Sequence, residues 1–189
     1  MIGLVIFAAV FQVILCQVPH PFPPNVPEQC RRPPQGVSER PHECCKIPSF
    51  FPEEDFQECG FKKLEDGPEG PGPRGPRGPH GPPDCTKQIC IMKKHNLLKE
   101  ESSVDPDAAK EFLQKWAEAN PEWKEPMEKA IENCVGKQLP GPPQICEPNK
   151  MVFCLSSTLF GACPKWEESE GCQTLKAHIE ECSQFFPKP

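Results

Sequence analysis

The stretch that decides the fold is residues 105–134, DPDAAKEFLQKWAEANPEWKEPMEKAIENC, which contains two helix starts of the same kind. Asp-Pro at 105–106 and Asn-Pro at 120–121 each put a capping side chain directly before a proline, which the first turn of a helix tolerates. One face of the first helix carries Ala109, Phe112, Leu113 and Trp116. One face of the second helix carries Trp123, Met127, Ala130, Ile131 and Cys134. The sequence therefore predicts two amphipathic helices, with Pro126 either kinking the second helix or delaying its start.

Similar patterns flank this stretch on both sides. Further helices are predicted within residues 46–64, over residues 85–99, from Pro148 to Gly161 and over residues 171–183. No run of four or more residues alternates between apolar and polar side chains as a strand does. We therefore expect an all-α fold: a compact bundle of about five or six short helices over residues 44–185.

Two proline-rich segments lie outside these helices, since 27 of the 189 residues are proline. Residues 17–43 are predicted to form an extended N-terminal arm without regular helix or strand, anchored by Cys30 if that cysteine is bridged. Residues 67–83 read GPEGPGPRGPRGPHGPP and contain four Gly-X-Y triplets from Gly72 onward. Four triplets are too few for a stable collagen triple helix, so we interpret this segment as a polyproline-II or flexible loop inserted into the helical domain.

The first residues of the chain indicate its compartment. Residues 1–16 are almost entirely apolar and too short to span a bilayer, so we interpret them as a secretory signal peptide. Removing them takes Cys16 from the 13 cysteines and leaves an even number. Those that remain are Cys30, Cys44, Cys45, Cys59, Cys85, Cys90, Cys134, Cys146, Cys154, Cys163, Cys172 and Cys182. A secreted, extracellular protein with six disulfides is expected, and their connectivity stays open at this point.

Composition and motifs argue against several classes of function. A net charge of −6 does not suit a nucleic-acid-binding protein, which needs a basic face. Sequence patterns typical of hydrolases and nucleotide-binding enzymes are missing. His42 precedes the paired cysteines 44–45, whereas in a phospholipase A2 a histidine and an aspartate follow such a pair. Cystine sulfur is also a poor metal ligand. We therefore expect neither an enzyme nor a metal or cofactor site.

Binding of apolar molecules is the chemistry that the helices allow. Their faces carry large apolar side chains: Phe112, Trp116, Trp123, Met127, Ile131, Met151, Leu155, Leu159, Leu175 and Ile179. These residues are candidates for lining a ligand cavity, and disulfides let a small domain tolerate such a void. The pattern is equally compatible with a filled core, and it does not decide between the two.

The spacing of the cysteines resembles that of a known family. Cys90 and Cys134 are separated by 43 residues, Cys134 and Cys154 by 19, and Cys154 and Cys163 by eight, with Pro164 immediately after Cys163. Together with the signal peptide and the twelve remaining cysteines, this resembles the Plus-C odorant-binding proteins of insects over about residues 30–185.

The resemblance implies a disulfide pattern. Its six framework cysteines would be Cys59, Cys85, Cys90, Cys134, Cys154 and Cys163. The pairing order of the family is first to third, second to fifth and fourth to sixth. It implies Cys59–Cys90, Cys85–Cys154 and Cys134–Cys163. In the family the second and third framework cysteines usually lie four residues apart, whereas Cys85 and Cys90 lie five apart. Either the helix therefore begins after Cys85, or Cys85 is not the second framework cysteine.

The resemblance also implies a function: a secreted carrier for small hydrophobic molecules, such as odorants or pheromones, in an internal apolar cavity. Its partners would be the ligand and, indirectly, a membrane receptor, with the chain a monomer or a homodimer and no nucleic acid involved. His95 and His178 are candidates for a pH-linked release of the ligand. The alternative is a secreted, disulfide-rich protein-interaction module without a small-molecule ligand, which would use the arm and the Gly-Pro loop as contact surfaces.

Overall fold

The computed structural model describes residues 25–61, 85–143 and 145–185. The predicted signal peptide, residues 1–16, and the predicted Gly-Pro loop, residues 67–83, lie outside the described residues. Among the described residues, no helix is long and apolar enough to cross a bilayer.

The described residues form seven α-helices. We label them α1 (Pro41–Cys44), α2 (Glu53–Glu58), α3 (Thr86–Lys94), α4 (Pro106–Ala119), α5 (Lys124–Cys134), α6 (Glu147–Gly161) and α7 (Glu170–Cys182). Short 3₁₀ turns cover Glu28–Arg31, Pro121–Trp123 and Ser183–Phe185. The only extended pairing in the described part of the chain is an isolated antiparallel bridge between Leu98 and Val104. The all-α prediction is therefore confirmed.

The two helix starts in residues 105–134 fold in different ways. Asp105 caps α4, and its side chain accepts hydrogen bonds from the backbone N–H groups of Asp107 and Ala108. At the second start, Pro121 opens a 3₁₀ turn and α5 begins only at Lys124. Pro126 therefore lies in the first turn of α5, where its missing N–H leaves no helical hydrogen bond unmade, and the helix start is delayed.

The core is built mainly by the three helices α4, α5 and α6. Helix α5 packs along both α4 and α6, and α3 packs on α6. Met127, Ala130 and Leu159 lie at the centre of this cluster with no exposed surface. A second, smaller cluster forms where the N-terminal arm meets the end of α7: Val26, Cys30 and Cys182, with Phe185 packed against them.

The described part of the N-terminal arm, residues 25–43, differs from the prediction because it contains helical turns. Its described part contains the 3₁₀ turn Glu28–Arg31, and α1 begins at Pro41, within the predicted arm. Val26 is 1% exposed. Cys30 is bridged to the end of α7, so the arm is anchored as predicted, and the crosslink and a buried side chain hold it against the bundle.

All twelve cysteines in the described residues form disulfides. The pairs are Cys30–Cys182, Cys44–Cys172, Cys45–Cys163, Cys59–Cys90, Cys85–Cys146 and Cys134–Cys154. The neighbours Cys44 and Cys45 reach different segments, as steric strain between adjacent cysteines requires.

The pairing implied by the family resemblance is correct for Cys59–Cys90 and wrong for Cys85–Cys154 and Cys134–Cys163. The error lies in the choice of framework cysteines. With Cys146 as the fifth and Cys154 as the sixth, the same order, first to third, second to fifth and fourth to sixth, gives the observed bridges. Cys163 follows the end of α6 and reaches Cys45 instead.

The spacing of Cys85 and Cys90 is also explained. Helix α3 begins at Thr86, with Cys85 as its N-terminal cap residue. Cys85 bridges to Cys146 at the start of α6, whereas Cys90, within α3, bridges to Cys59 after α2.

Candidate functional site

A small apolar void lies between α3, α4, α6 and the segment at residues 47–51. Its volume is about 20 Å³. The lining side chains are Phe50, Phe51, Met92, Leu97, Ala109, Phe112, Leu113, Met151, Val152 and Leu155. All of them are apolar, and such a space holds about one water molecule. A void with these walls offers an incoming molecule hydrophobic contact and no hydrogen bond from a side chain.

One wall of the void is formed by aromatic rings. Phe50 and Phe112 are half-buried, whereas Phe51 is buried. Phe51 stacks on Phe112 with ring centroids 5.2 Å apart, and Phe50 packs on Trp116 at the same distance. The Trp116 indole N–H donates a hydrogen bond to the Ser49 carbonyl at 3.0 Å, which fixes residues 47–51 against α4.

The structure brings three of the ten predicted ligand-binding residues to this void: Phe112, Met151 and Leu155. Four others are buried in the surrounding core: Trp116, Trp123, Met127 and Leu159. Ile131 packs against that core from its edge. Leu175 and Ile179 are half-buried on α7 and belong to neither hydrophobic cluster.

The seven remaining lining residues were not among the predicted ten. Ala109 and Leu113 lie on the predicted apolar face of α4, so the pattern contained a signal for them. Phe50 and Phe51 lie in an irregular segment without helical periodicity. Their position depends on contacts with α4, more than 50 residues further along the chain, and no local pattern indicates such contacts.

A charged cluster contacts the aromatic rings that line the void. Asp55 on α2 accepts from His95 at 2.8 Å and from Lys94 at 2.6 Å. The His95 ring lies 4.8 Å from Phe51 and 5.6 Å from Phe112, both of which line the void. His178, the other predicted pH-sensitive residue, contacts Cys182 in the smaller cluster on α7. Of the two histidines, His95 is therefore the one in contact with the walls of the void.

The hydrogen bonds from Lys94 and, secondarily, from His95 hold the pKa of Asp55 below its ordinary value. A carboxyl group whose pKa is lower in the folded chain stabilises the fold above its unfolded pKa, about 3.9 for Asp. That contribution is lost as the pH falls through the folded pKa. The link between α2 and α3 is thus weakened by acid.

Cys44 and Cys45 are both consumed by disulfides, so neither has a thiolate that could bind a metal beside His42. His42 itself is exposed on α1. Within residues 25–61, 85–143 and 145–185, no three His, Cys, Asp or Glu side chains converge on a point where they could hold a metal ion.

Disulfides and short amphipathic helices around a small apolar void form a crosslinked helical bundle. The chain is 22% identical to general odorant-binding protein 68 of Anopheles gambiae over 169 residues, which cover 82% of this chain and 75% of the relative. No family model matches the chain. The relative, the all-helical fold and the six disulfides confirm the resemblance to the insect odorant-binding proteins of the Plus-C type.

Proposed function

We propose that the protein is a secreted, non-enzymatic carrier that binds small hydrophobic molecules in the apolar void between α3, α4 and α6. The similarity to an odorant-binding protein supports a carrier role at the level of the family. The observation that carries the proposal for this chain is the void between α3, α4 and α6, with its ten apolar lining residues. Six disulfides suit an extracellular fluid.

A ligand must enlarge this site in order to bind, since about 20 Å³ is far below the size of a typical ligand pocket. The lining residues allow that enlargement. Met92 and Met151 are unbranched side chains that change rotamer readily. Phe50 and Phe112 are half-buried, so moving them outward disturbs fewer core contacts than moving a fully buried side chain would.

Opening the void takes up part of the binding free energy, because packed contacts are lost before ligand contacts replace them. We therefore expect moderate affinity, near micromolar, which corresponds to about −8 kcal/mol. Such affinity suits a carrier, because it also has to release its ligand.

The test uses the fluorescent probe N-phenyl-1-naphthylamine and a matched pair of variants. Ala109 lines the void and is 1% exposed, whereas Ala117 lies on the same helix, is 5% exposed and does not line the void. Ala109→Leu and Ala117→Leu both overpack the core, at about 1–3 kcal/mol of stability. Only Ala109→Leu is expected to weaken probe binding, by at least about tenfold.

Equal weakening in the two folded variants would show that stability, and not the void, controls binding. Unchanged probe binding by folded Ala109→Leu would place the ligand elsewhere. The alternative function, protein interaction through the predicted Gly-Pro loop, stays a prediction because residues 67–83 lie outside the described part of the chain.

A further inference from the structure

A second cleft shares one lining residue, Met151, with the apolar void. It lies where the start of α4, the end of α5 and the start of α6 come together, and its volume is about 340 Å³. Small-molecule sites have volumes of about 300–1,000 Å³. Among the described residues no side chain other than Met151 lines both spaces, so the cleft is separate from the void and is large enough to hold a ligand of its own.

The inner part of this cleft is apolar. Val104, Cys134 and Met151 are buried, Leu139 is half-buried, and all four line the cleft. An apolar group that enters the cleft leaves water and packs on these side chains, which is favourable. The cleft therefore offers a ligand the same kind of hydrophobic contact as the void does.

The exposed part of the lining differs from the void because it is charged. Its charged residues are Lys99, Lys137 and Glu147, two cations and one anion in a chain whose net charge is −6. Among the described residues, no carboxylate forms an ion pair with either lysine. The carboxylate of Glu147 is already engaged, since its Oε2 accepts from the Ser103 hydroxyl and from the Val104 N–H, both at 3.2 Å.

The segment at residues 136–139 adds further hydrogen-bond donors. Gly136 has a φ of +67°, a left-handed conformation that glycine adopts without strain, and it turns the chain after α5. A Cβ atom at this position would lie 3.4 Å from the Cβ of Pro106, so the turn lies close against the start of α4. All four residues of the segment line the cleft, and none of their backbone N–H groups donates to an acceptor in the described part of the chain. Such N–H groups and the lysine ammonium groups are donors that suit an anion.

We propose that this cleft is a second binding site and that it takes a small amphiphilic anion, a molecule with an apolar body and one anionic group such as a carboxylate. The apolar body packs on Val104, Leu139 and Met151. The anionic group accepts hydrogen bonds from Lys99 and Lys137. A cation of the same shape is repelled by both lysines, and a neutral molecule leaves them without a partner. This site goes beyond the proposed carrier function, because its occupation does not require a ligand in the void.

The contribution of the two lysines to affinity should be modest. Both are exposed, so each ion pair is worth about two- to fivefold in the dissociation constant. Added NaCl screens these pairs and should weaken the binding of an anion, whereas binding in the uncharged void should not respond to salt in this way.

The experiment compares two fluorescent probes that differ by one charged group. 8-Anilino-1-naphthalenesulfonate has the same skeleton as the neutral probe N-phenyl-1-naphthylamine and adds a sulfonate. In the full chain with its disulfides formed, Lys99→Gln together with Lys137→Gln should weaken binding of the sulfonate probe at least about fourfold and leave the neutral probe unaffected. The matched control, Lys110→Gln together with Lys165→Gln, removes two charges at exposed positions outside the cleft and should leave the affinity of both probes unchanged.

Two single substitutions separate the cleft from the void. Gln138→Glu adds a negative charge in the lining of the cleft and should weaken the sulfonate probe, whereas Gln114→Glu adds the same charge at an exposed position on α4 and should not. Ala109→Leu, which fills the void, should weaken the neutral probe and leave the sulfonate probe bound.

Circular dichroism of each variant shows whether it is folded. The glutamine and lysine positions are all exposed, so folding should be unaffected. The proposal is overturned if the parent protein shows no saturable binding of the sulfonate probe, or if the control lysine variant weakens that probe as much as the cleft variant does. It is also overturned if Ala109→Leu weakens both probes while the cleft variants weaken neither, because the anion then binds in the void. Failure of the neutral probe alone would contradict the carrier function and leave the second site standing.

Discussion

Replacing Leu155 by alanine tests directly whether the apolar void between α3, α4 and α6 is the binding site. Leu155 is 2% exposed and lines the void. Loss of three methylene-sized groups removes about 2.4 kcal/mol of transfer free energy, at ~0.8 kcal/mol each. A residual cavity of roughly 80 Å³ adds about 2 kcal/mol, at ~24 cal/mol per Å³. The expected loss of stability is thus about 4 kcal/mol.

Leu159 provides the matched control. It lies one turn further along α6, is 0% exposed and does not line the void. Leu159→Ala should therefore destabilise the fold by a similar amount, within the range of about 2–5 kcal/mol known for such substitutions. The cavity created by Leu159→Ala is separate from the void. The cavity created by Leu155→Ala joins the void, whose volume is about 20 Å³.

The two variants should differ in ligand binding. In Leu155→Ala a ligand fills space that is already open, so less packing is lost on binding. If the ligand recovers half of the cavity penalty, about 1 kcal/mol, the probe binds roughly fivefold more tightly than to the parent protein. Leu159→Ala should bind the probe as the parent does.

The assay combines urea unfolding, followed by circular dichroism with the disulfides intact, and titration with N-phenyl-1-naphthylamine. The reasoning is refuted if both variants lose similar stability and bind the probe with equal affinity. It is also refuted if Leu155→Ala, while folded, binds the probe more weakly than the parent protein.

The remaining predictions concern acid, helix capping and one crosslink. Asp55→Asn should lower the melting temperature at pH 7, and the difference from the parent should shrink as the pH falls through the lowered pKa of the Asp55 carboxyl, because the carboxylate stabilises the fold only while ionised; melts from pH 2 to 7 measure this, and a constant difference contradicts it. Asp105→Ala should lower the free energy of unfolding by about 1 kcal/mol, whereas Gln114→Ala on the same helix should change it by less than about 0.5 kcal/mol, as chemical denaturation will show. A double serine variant at Cys30 and Cys182 should lose about 2–4 kcal/mol in its free energy of unfolding but keep its probe affinity, since this bridge belongs to the smaller cluster and not to the core around the void. Loss of probe binding in the folded variant would contradict this prediction.

Local signals in the sequence predict the helices well. Asp105 caps α4 because its short carboxylate reaches the free N–H groups of the first turn, and that chemistry is contained in a few adjacent residues. Pro148 and Gly161 mark the first and last turns of α6 for equally local reasons. By contrast, the predicted start of α7 is Gly171, whereas the helix begins at Glu170 with Ser169 as its cap.

The disulfides could be predicted only in part, because cysteine spacing does not report which helix faces meet. Cys134 lies on the buried face of α5, which packs along α6, so its partner has to come from within α6. Cys154 lies on the buried face of α6 with Met151 and Leu155, whereas Cys163 lies beyond the end of that helix. The faces on which these cysteines lie identify Cys154 as the partner of Cys134, although the match to the family spacing favours Cys163.

The crosslinks also indicate how the void can open. Cys85 and Cys146 directly precede α3 and α6, so their bridge holds the starts of two lining helices together. The third lining helix, α4, contains no cysteine. It is held by packing and by the hydrogen bond from Trp116 to the segment at residues 47–51. Noncovalent contacts of this kind can break and reform at modest free-energy cost, whereas a disulfide cannot. If the void binds a ligand as proposed, we expect the ligand to enter where α4 meets residues 47–51, at the half-buried rings of Phe50 and Phe112, while the disulfides keep the opposite wall fixed.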